Sequence, residues 1–588
     1  MRNLHVPSGA RSLRAPLILS FTWLILTSPA AWAERDPVEA EHGIVSSASV
    51  LASEVGADIL KHGGNAADAA VATGFALSVT YPRAGNIGGG GFAMMRLADG
   101  KLTSIDFRET APSAATADLY LDPQGNVIRG KSTVGHLASG VPGTVAGLEL
   151  LYSKYGSHHF TWAQLVEPAR RLAEKGFPIT PALARDMKAS ERLLGRFPES
   201  KRVFLRDGHL YEPGELFKQP DLAATLQRIA KRGAQEFYSG KTAQLIAQEM
   251  KANGGLITAE DLAGYRAVER ATLQGKYRGY DIVTMAPPSS GGIALLQMLQ
   301  MLEPYNVEKM GLNSAAKIHL FTEVMRRAFR DRAQFLGDPD FVQVPVRPLL
   351  DRHYLDKSMS TFDPARATPS SALPPADLPP SESSETTQFS IVDSQGNAIS
   401  VTYTMNGLWG NGVTVGGAGF LLNNEMDDFT SKVGVRNGYG LLQGESNAVG
   451  PRKRPLSSMT PTIVLKDGQP FLVTGSPGGP TIINTVLLVI TNVIDFHMSA
   501  TQAVDAPRFH HQWQPDVINY EPFVTSPDTV ALLEAKGHTL ALRKLYPNSP
   551  EAEGRTWGDA ETILIDSASK HRFGASDLRS PDSASVGW

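Results

Sequence analysis

Residues 381–406 read S-E-S-S-E-T-T-Q-F-S-I-V-D-S-Q-G-N-A-I-S-V-T-Y-T-M-N, and the reading of the whole chain turns on them. A Pro/Ser-rich leader (Pro374, Pro375, Pro379, Pro380, Ser381, Ser383, Ser384) stops at Glu385. Beyond it, Phe389, Ile391, Ile399, Val401 and Tyr403 put β-branched or aromatic side chains at every second position. Asp393-Ser394-Gln395-Gly396-Asn397 supplies turn residues between the two runs, which predicts a β-hairpin. Thr386 therefore opens a strand straight after a flexible leader. A Thr pair at a strand start is ordinary β-propensity, so a chemical role for it has to be argued from the rest of the chain.

The chain has 588 residues, 42% of them apolar, enough to bury a large core and ordinarily to form two or more domains. Lys and Arg total 56 against 59 Asp and Glu, without a basic run or acidic tail, which argues against nucleic acid and against an anionic membrane surface as partners. Arg2, Arg11 and Arg14 precede an apolar run, Leu17 to Leu26, and then Ala31-Trp32-Ala33. That order predicts a signal peptide over 1–33, with an uncleaved anchor as the alternative. There is no cysteine, so a nucleophile on this exported chain has to be Ser, Thr or a metal-bound water; a periplasm suits it best.

Outward from the hairpin, Leu51, Val55, Ile59 and Leu60 have helical spacing, broken at Gly63-Gly64-Asn65 before an Ala-rich run. Gly88 to Gly91 lack the Lys-Ser/Thr of a phosphate loop and predict close backbone packing. Two strands are expected around Asp99-Gly100, followed by Arg108, which is either a solvated charge or a bidentate carboxylate clamp. The segment 145–359 is patterned mostly as helix. Its clearest helix, Ile318 to Leu336, carries Arg326, Arg327, Arg330 and Arg332 as an expected solvated stripe. Thr481 to Phe496 predicts a buried helix, not a membrane span. No repeat and no compact metal-ligand spacing is found, and neither a metal nor a cofactor is expected.

G-x-S-x-G is absent, which disfavours a lipase-like triad. The other route is a Thr whose own α-amine is the base. A cut between Glu385 and Thr386 would free that amine, whose reference pKa is about 7.7–8.0. One hydroxyl would then serve maturation and turnover.

Taken together, G-G-N-A-A-D-A-A-V-A (63–72), G-G-G-G-F (88–92), D-F-R-E-T-A-P (106–112), P-P-S-S-G-G (287–292), T-T-Q-F-S (386–390), L-L-N-N-E-M-D-D-F (421–429), R-P-L-S-S-M (454–459), G-S-P-G-G (475–479) and A-P-R-F-H-H-Q-W (506–513) resemble the γ-glutamyltransferase family of N-terminal-nucleophile hydrolases, over nearly the whole mature chain. The resemblance implies a four-layer αββα sandwich of class α/β. It implies a large subunit, 34–385, and a small subunit, 386–588, that stay together as a heterodimer of cleavage products. It makes Thr386 the nucleophile, Thr404 its hydrogen-bond partner, and Gly478 and Gly479 the oxyanion donors. Arg108, Ser457 and Ser458 would clamp the α-carboxylate of a γ-glutamyl group, and Asn406, Glu425 and Asp428 would hold its α-ammonium. Tyr439 would sit in a lid loop (436–447). The implied substrates are glutathione and other γ-glutamyl compounds, with water or an amino-acid or peptide amine as acceptor. A glutaryl-type cephalosporin acylase of the same fold, or a non-catalytic periplasmic amino-acid-binding protein, are the alternatives.

Overall fold

The computed structural model describes residues 35–373, 386–438, 440–543 and 557–588. The expected signal peptide, the leader with Glu385, and Tyr439 lie outside the described residues. The body, 36–588, is built on two seven-stranded sheets. The first runs in the order Ala584–Gly587, Ile44–Ser47, Thr387–Val392, Ala398–Thr404, Gly90–Arg96, Leu102–Asp106, Val268–Arg270. The second runs Val38–Ala40, Arg572–Ala575, Thr562–Ile565, Gln469–Thr474, Thr462–Lys466, Tyr280–Thr284, Leu273–Tyr277. Every pairing in both is antiparallel.

Side-chain alternation assigns the layers. Ile44, Phe92, Met94, Val392 and Ala398 of the first sheet pack against Val283, Ile463, Leu465, Val473 and Ile563 of the second, so these faces meet. The opposite face of the first sheet, with Val45, Ala93, Ile105, Phe389, Ile391, Val401 and Tyr403, packs on the helices Val50–Lys61, Ala66–Thr80 and Thr144–Tyr155. Ile282, Val464 and Leu472 pack on Gly291–Leu302, Ala315–Phe335 and Thr481–Phe496. The result is the αββα sandwich.

The predicted hairpin forms, with Thr387 opposite Tyr403 and Val392 opposite Ala398. Asp393 closes its turn by accepting from the Gln395 and Asn397 amides, each at 2.9 Å. Its other oxygen accepts from Ala66 N–H at 2.9 Å, tying the turn to the N-terminus of the Ala66–Thr80 helix. That helix is buried on all sides, which its run of small residues permits. Strands from both sides of residue 385 are interleaved in the first sheet, so neither stretch completes it alone.

The glycine run packs as expected: a Cβ on Gly89 would lie 1.9 Å from the Thr404 carbonyl oxygen. The arginine stripe does not behave as expected. Arg326, Arg327 and Arg332 are buried, because the Ala315–Phe335 helix is covered by other elements and each guanidinium finds a protein partner. Arg327 donates to Glu323 at 2.6 Å and to the Ser358 carbonyl at 2.8 Å, and Arg326 pairs with Asp516.

Candidate active site

The hairpin delivers two hydroxyls to one place. One step beyond the last ladder pair, the antiparallel register sets Thr386 opposite Thr404. Both have the parity of Gln388, Ser390, Ser400 and Thr402, whose side chains face the second sheet: Ser390 donates to the Glu561 carbonyl at 2.7 Å and Ser400 to the Thr474 carbonyl at 2.9 Å. Thr386 is itself buried, at 4% exposure, at the end of this polar seam.

There it lines a small cavity together with Arg108, Thr404, Asn406, Glu425, Asp428, Ser457, Ser458, Gly479 and several apolar side chains. Nine of the residues singled out from the sequence thus converge, although they come from segments separated by hundreds of positions. Gly478 adjoins the cavity at Gly479, in the turn between the Gln469–Thr474 strand and the Thr481–Phe496 helix. Both glycines take positive φ, 126° and 54°, and a Cβ on Gly478 would meet Thr481 Oγ1 at 2.4 Å. Neither amide donates to a protein group among the described residues. Backbone donors at a helix N-terminus suit an anion.

Arg108 is fully buried. Its Nη1 donates to Glu425 and its Nη2 to Asp428, while Nε donates to the Pro455 carbonyl at 3.2 Å. Cation and carboxylates are therefore in direct contact; charges this deeply buried need partners. Burial alone would lower the Arg108 pKa, but Glu425, Asp428 and Glu109 outweigh it and hold it above its ordinary value. Burial raises Glu425 well above the carboxylate range against the pull of Arg108, and Asp428 rises for the same reason. Asn406 holds a left-handed φ of 72°, with its amide donating to Thr404 Oγ1 at 2.7 Å and its Nδ2 to the Asn424 carbonyl at 2.9 Å. Ser457 Oγ accepts from the Met459 amide at 3.0 Å.

The sequence reading gave no role to four residues that shape this cavity. Glu109 is buried behind Arg108, with Oε2 3.7 Å from Nη1 and no hydrogen-bond partner for either oxygen among the described residues. Asn423 accepts from the Gly140 and Glu425 amides at 2.8 and 3.0 Å and donates to the Gly88 carbonyl at 2.8 Å, fixing the Glu425 turn against the glycine run. Asp427 accepts from Ser132 at 2.5 Å and from the Gly438 amide at 2.7 Å, anchoring the loop that approaches the cavity. Arg332 reaches Ser458 at 3.3 Å. Glu109, Asn423 and Asp427 lie inside motifs already singled out. Arg332 follows Leu320, Val324 and Ala328 at steps of four, a spacing that puts it on the buried face.

Among the described residues, His319, Glu323 and His538 have ligand atoms within 4.8 Å of one another. Protein groups already engage them: Glu323 accepts from Arg327 and from the Thr368 amide at 3.0 Å, and the two imidazoles bond each other at 2.7 Å.

An αββα sandwich with a cavity at the start of an inner strand defines the class of N-terminal-nucleophile hydrolases. The Gamma-glutamyltranspeptidase family model matches residues 52–587, and the chain belongs to that family. It is 49% identical to the "Glutathione hydrolase proenzyme" of Escherichia coli (strain K12), over 94% of this chain and 93% of the relative. Among solved structures, a cephalosporin acylase from Bacillus halodurans superposes with a TM-score of 0.82 at 26% identity, covering 96% of this chain and 99% of that one. The Helicobacter pylori gamma-glutamyltranspeptidase gives 0.54 at 48% identity, covering 55% of this chain and 93% of that one. The protein is thus an enzyme of the γ-glutamyltransferase and glutathione-hydrolase class. Among the described residues no helix is long and apolar enough to cross a membrane.

Proposed function

We propose that this is an exported, self-cleaving γ-glutamyltransferase/hydrolase whose nucleophile is Thr386, working in the periplasm after loss of residues 1–33. The observation that carries this reading is the convergence of Thr386, Thr404, Arg108, Asn406, Glu425, Asp428, Ser457, Ser458 and Gly479 on one cavity. Cleavage between Glu385 and Thr386 frees the α-amine and leaves a heterodimer of 34–385 and 386–588, interleaved in one sheet. Thr386 Oγ attacks the γ-carbonyl of glutathione or a related compound, and the α-amine takes the hydroxyl proton and passes it to the departing amine. Gly478 and Gly479 amides receive the oxyanion, a contribution typically of about 2.7–4 kcal/mol per donor. Water, or the amine of an amino acid or peptide, then resolves the ester. Arg108 with Ser457 and Ser458 takes the α-carboxylate, and Asn406, Glu425 and Asp428 take the α-ammonium, so the mixed charge of the cavity matches a zwitterionic head group. Tyr439 belongs to the lid in this scheme.

Thr386→Ala is the test. The expected result is a single uncut band on a denaturing gel and no release from γ-glutamyl anilide, while the wild type yields a fragment beginning at Thr386; two subunits from the variant overturn the assignment. The likeness to the Bacillus halodurans cephalosporin acylase supports a second reading, a glutaryl-type acylase. Glutaryl and γ-glutamyl anilides separate the two, because the glutaryl group lacks the ammonium that Glu425 and Asp428 are there to bind.

A further inference from the structure

Arg332 lies outside the cavity lining, on the buried face of the Ala315–Phe335 helix, and touches the site from behind. Its Nε donates to Ser290 Oγ at 2.9 Å and its Nη2 to Ser458 Oγ at 3.3 Å. Ser290 in turn donates its hydrogen to the Ser457 carbonyl at 2.5 Å. A guanidinium has donors only, so in each of these contacts the serine oxygen accepts. Ser458 is left with its own hydrogen to give, and Ser458 lines the cavity. Ser457 stands in the same position, because the Met459 amide fills an acceptor site of its Oγ. The two serines are thus backed by donors that cannot accept, one a neutral amide and the other a cation.

We propose that Arg332 is a positioning residue for the head-group site: it turns the Ser458 hydroxyl toward the α-carboxylate of the substrate, polarises it, and sets a second positive charge behind Arg108. The inference rests on the γ-glutamyl reading and deepens it by naming what fixes carboxylate recognition. Three observations agree. Arg332 is 2% exposed and packed into the protein, so its fork is held in place. Burial lowers it to about 10, with Asp428 pulling up and Arg108 pushing down, which leaves it cationic at neutral pH. Its Nη1 has no hydrogen-bond partner among the described residues, and the two serines that its other nitrogens bond are uncharged. A charge-assisted donor strengthens the bond that the accepting hydroxyl makes onward.

The experiment compares two anilides that differ only in the carboxylate, γ-glutamyl and 4-aminobutyryl, in the wild type, R332Q, R332K, S458A and the double variant R332Q/S458A. With the γ-glutamyl anilide, R332Q is expected to lose about tenfold in kcat/KM, the size of one charge-assisted bond, and with the 4-aminobutyryl anilide less than about twofold. R332K, which keeps the charge and loses the fork, should fall between. In the S458A background R332Q should add little, since the hydroxyl it acts through is gone. Should the Arg332 variants not fold, Ser290→Ala, which misaims the fork without removing a charge, carries the same expectation at about threefold. Equal losses on both anilides, or full additivity with S458A, overturn the inference and mark Arg332 as a packing residue. The wild-type preference for the γ-glutamyl anilide checks the underlying reading separately: with it present, an unchanged selectivity ratio sinks only the role of Arg332, and without it both fall.

Discussion

Replacing Glu109 by Gln is expected to stabilise the enzyme more at neutral and alkaline pH than at acid pH. The Glu109 carboxyl is fully buried, and burial pushes it from 4.5 up to about 7 against the attraction of Arg108. A folded-state value above the unfolded one means that the native state keeps the proton over a range where the unfolded chain has released it. Stability therefore falls as pH rises from about 4.5 toward 7 and levels off above. A span of about 2.5 pH units at ~1.36 kcal/mol each gives a cost of about 3 kcal/mol at pH 8 and about 1 kcal/mol at pH 5. Gln keeps the shape and cannot ionise, so that cost disappears. Glu425 relaxes in the same direction, because the repulsion from Glu109 that helps to raise it is removed. With an unfolding entropy of ~2.1 cal/mol/K per residue, a body of about 550 residues shifts its midpoint by about 0.9 °C per kcal/mol. The Tm offset of the variant from the wild type should thus be about 2 °C more positive at pH 8 than at pH 5, read by calorimetry at a fixed scan rate. An offset that stays constant across the pH series would refute the burial argument.

Further outcomes follow from individual contacts. Arg327→Met removes one of the two guanidinium groups that pair with the buried Glu323 carboxylate, which should cost about 1.5–3 kcal/mol in denaturant unfolding; an unchanged midpoint would mean that the pair is dispensable. Gly89→Ala forces a Cβ against the Thr404 carbonyl and displaces the strand end beside Thr386, so kcat should fall by about a hundredfold in the folded protein; normal kcat would place Thr404 outside the machinery. Asp427→Ala releases the Gly438 amide and Ser132. Limited proteolysis should then cut first between residues 430 and 440, with KM raised and kcat little altered, and protection equal to the wild type would show that the loop is held elsewhere.

The hairpin at Thr386, the close packing at Gly89 and the buried Thr481–Phe496 helix could all be read from the sequence, because each is written in local pattern: period-2 alternation, glycines without a phosphate-loop partner, an apolar run with scattered polar groups. The candidate site residues were legible only as motifs. Nothing in the spacing of Arg108, Thr386, Glu425 and Ser457 says that they meet; the crossed order of the first sheet brings the ends at Arg108 and Thr386 together, and the facing sheet and the 425–428 turn bring the others. What stayed hidden was the state of the charges. A sequence shows that Arg108, Glu425 and Asp428 are suited to a zwitterion, but not that they bond one another at the floor of the cavity.

The arginines of the Ala315–Phe335 helix show why that information is missing. In isolation the helix has a basic face, and basic faces are normally solvated. Here the helix's own Glu323 is joined by Asp516, Ser290 and Ser458 from three other places in the chain, so three of the guanidinium groups can be buried with partners. The helix is then charged where it contacts the rest of the protein, and each buried cation fixes a different segment: Arg326 takes the 510s loop through Asp516, Arg327 the 358–361 turn, and Arg332 the serine pair of the cavity. Burying a cation is costly unless its partners are placed to match, so the same contacts that stabilise the helix also restrict where those segments can lie. A buried positive stripe on this helix is therefore a positional constraint on the site, and the orientation of the Ser458 hydroxyl is its most direct consequence.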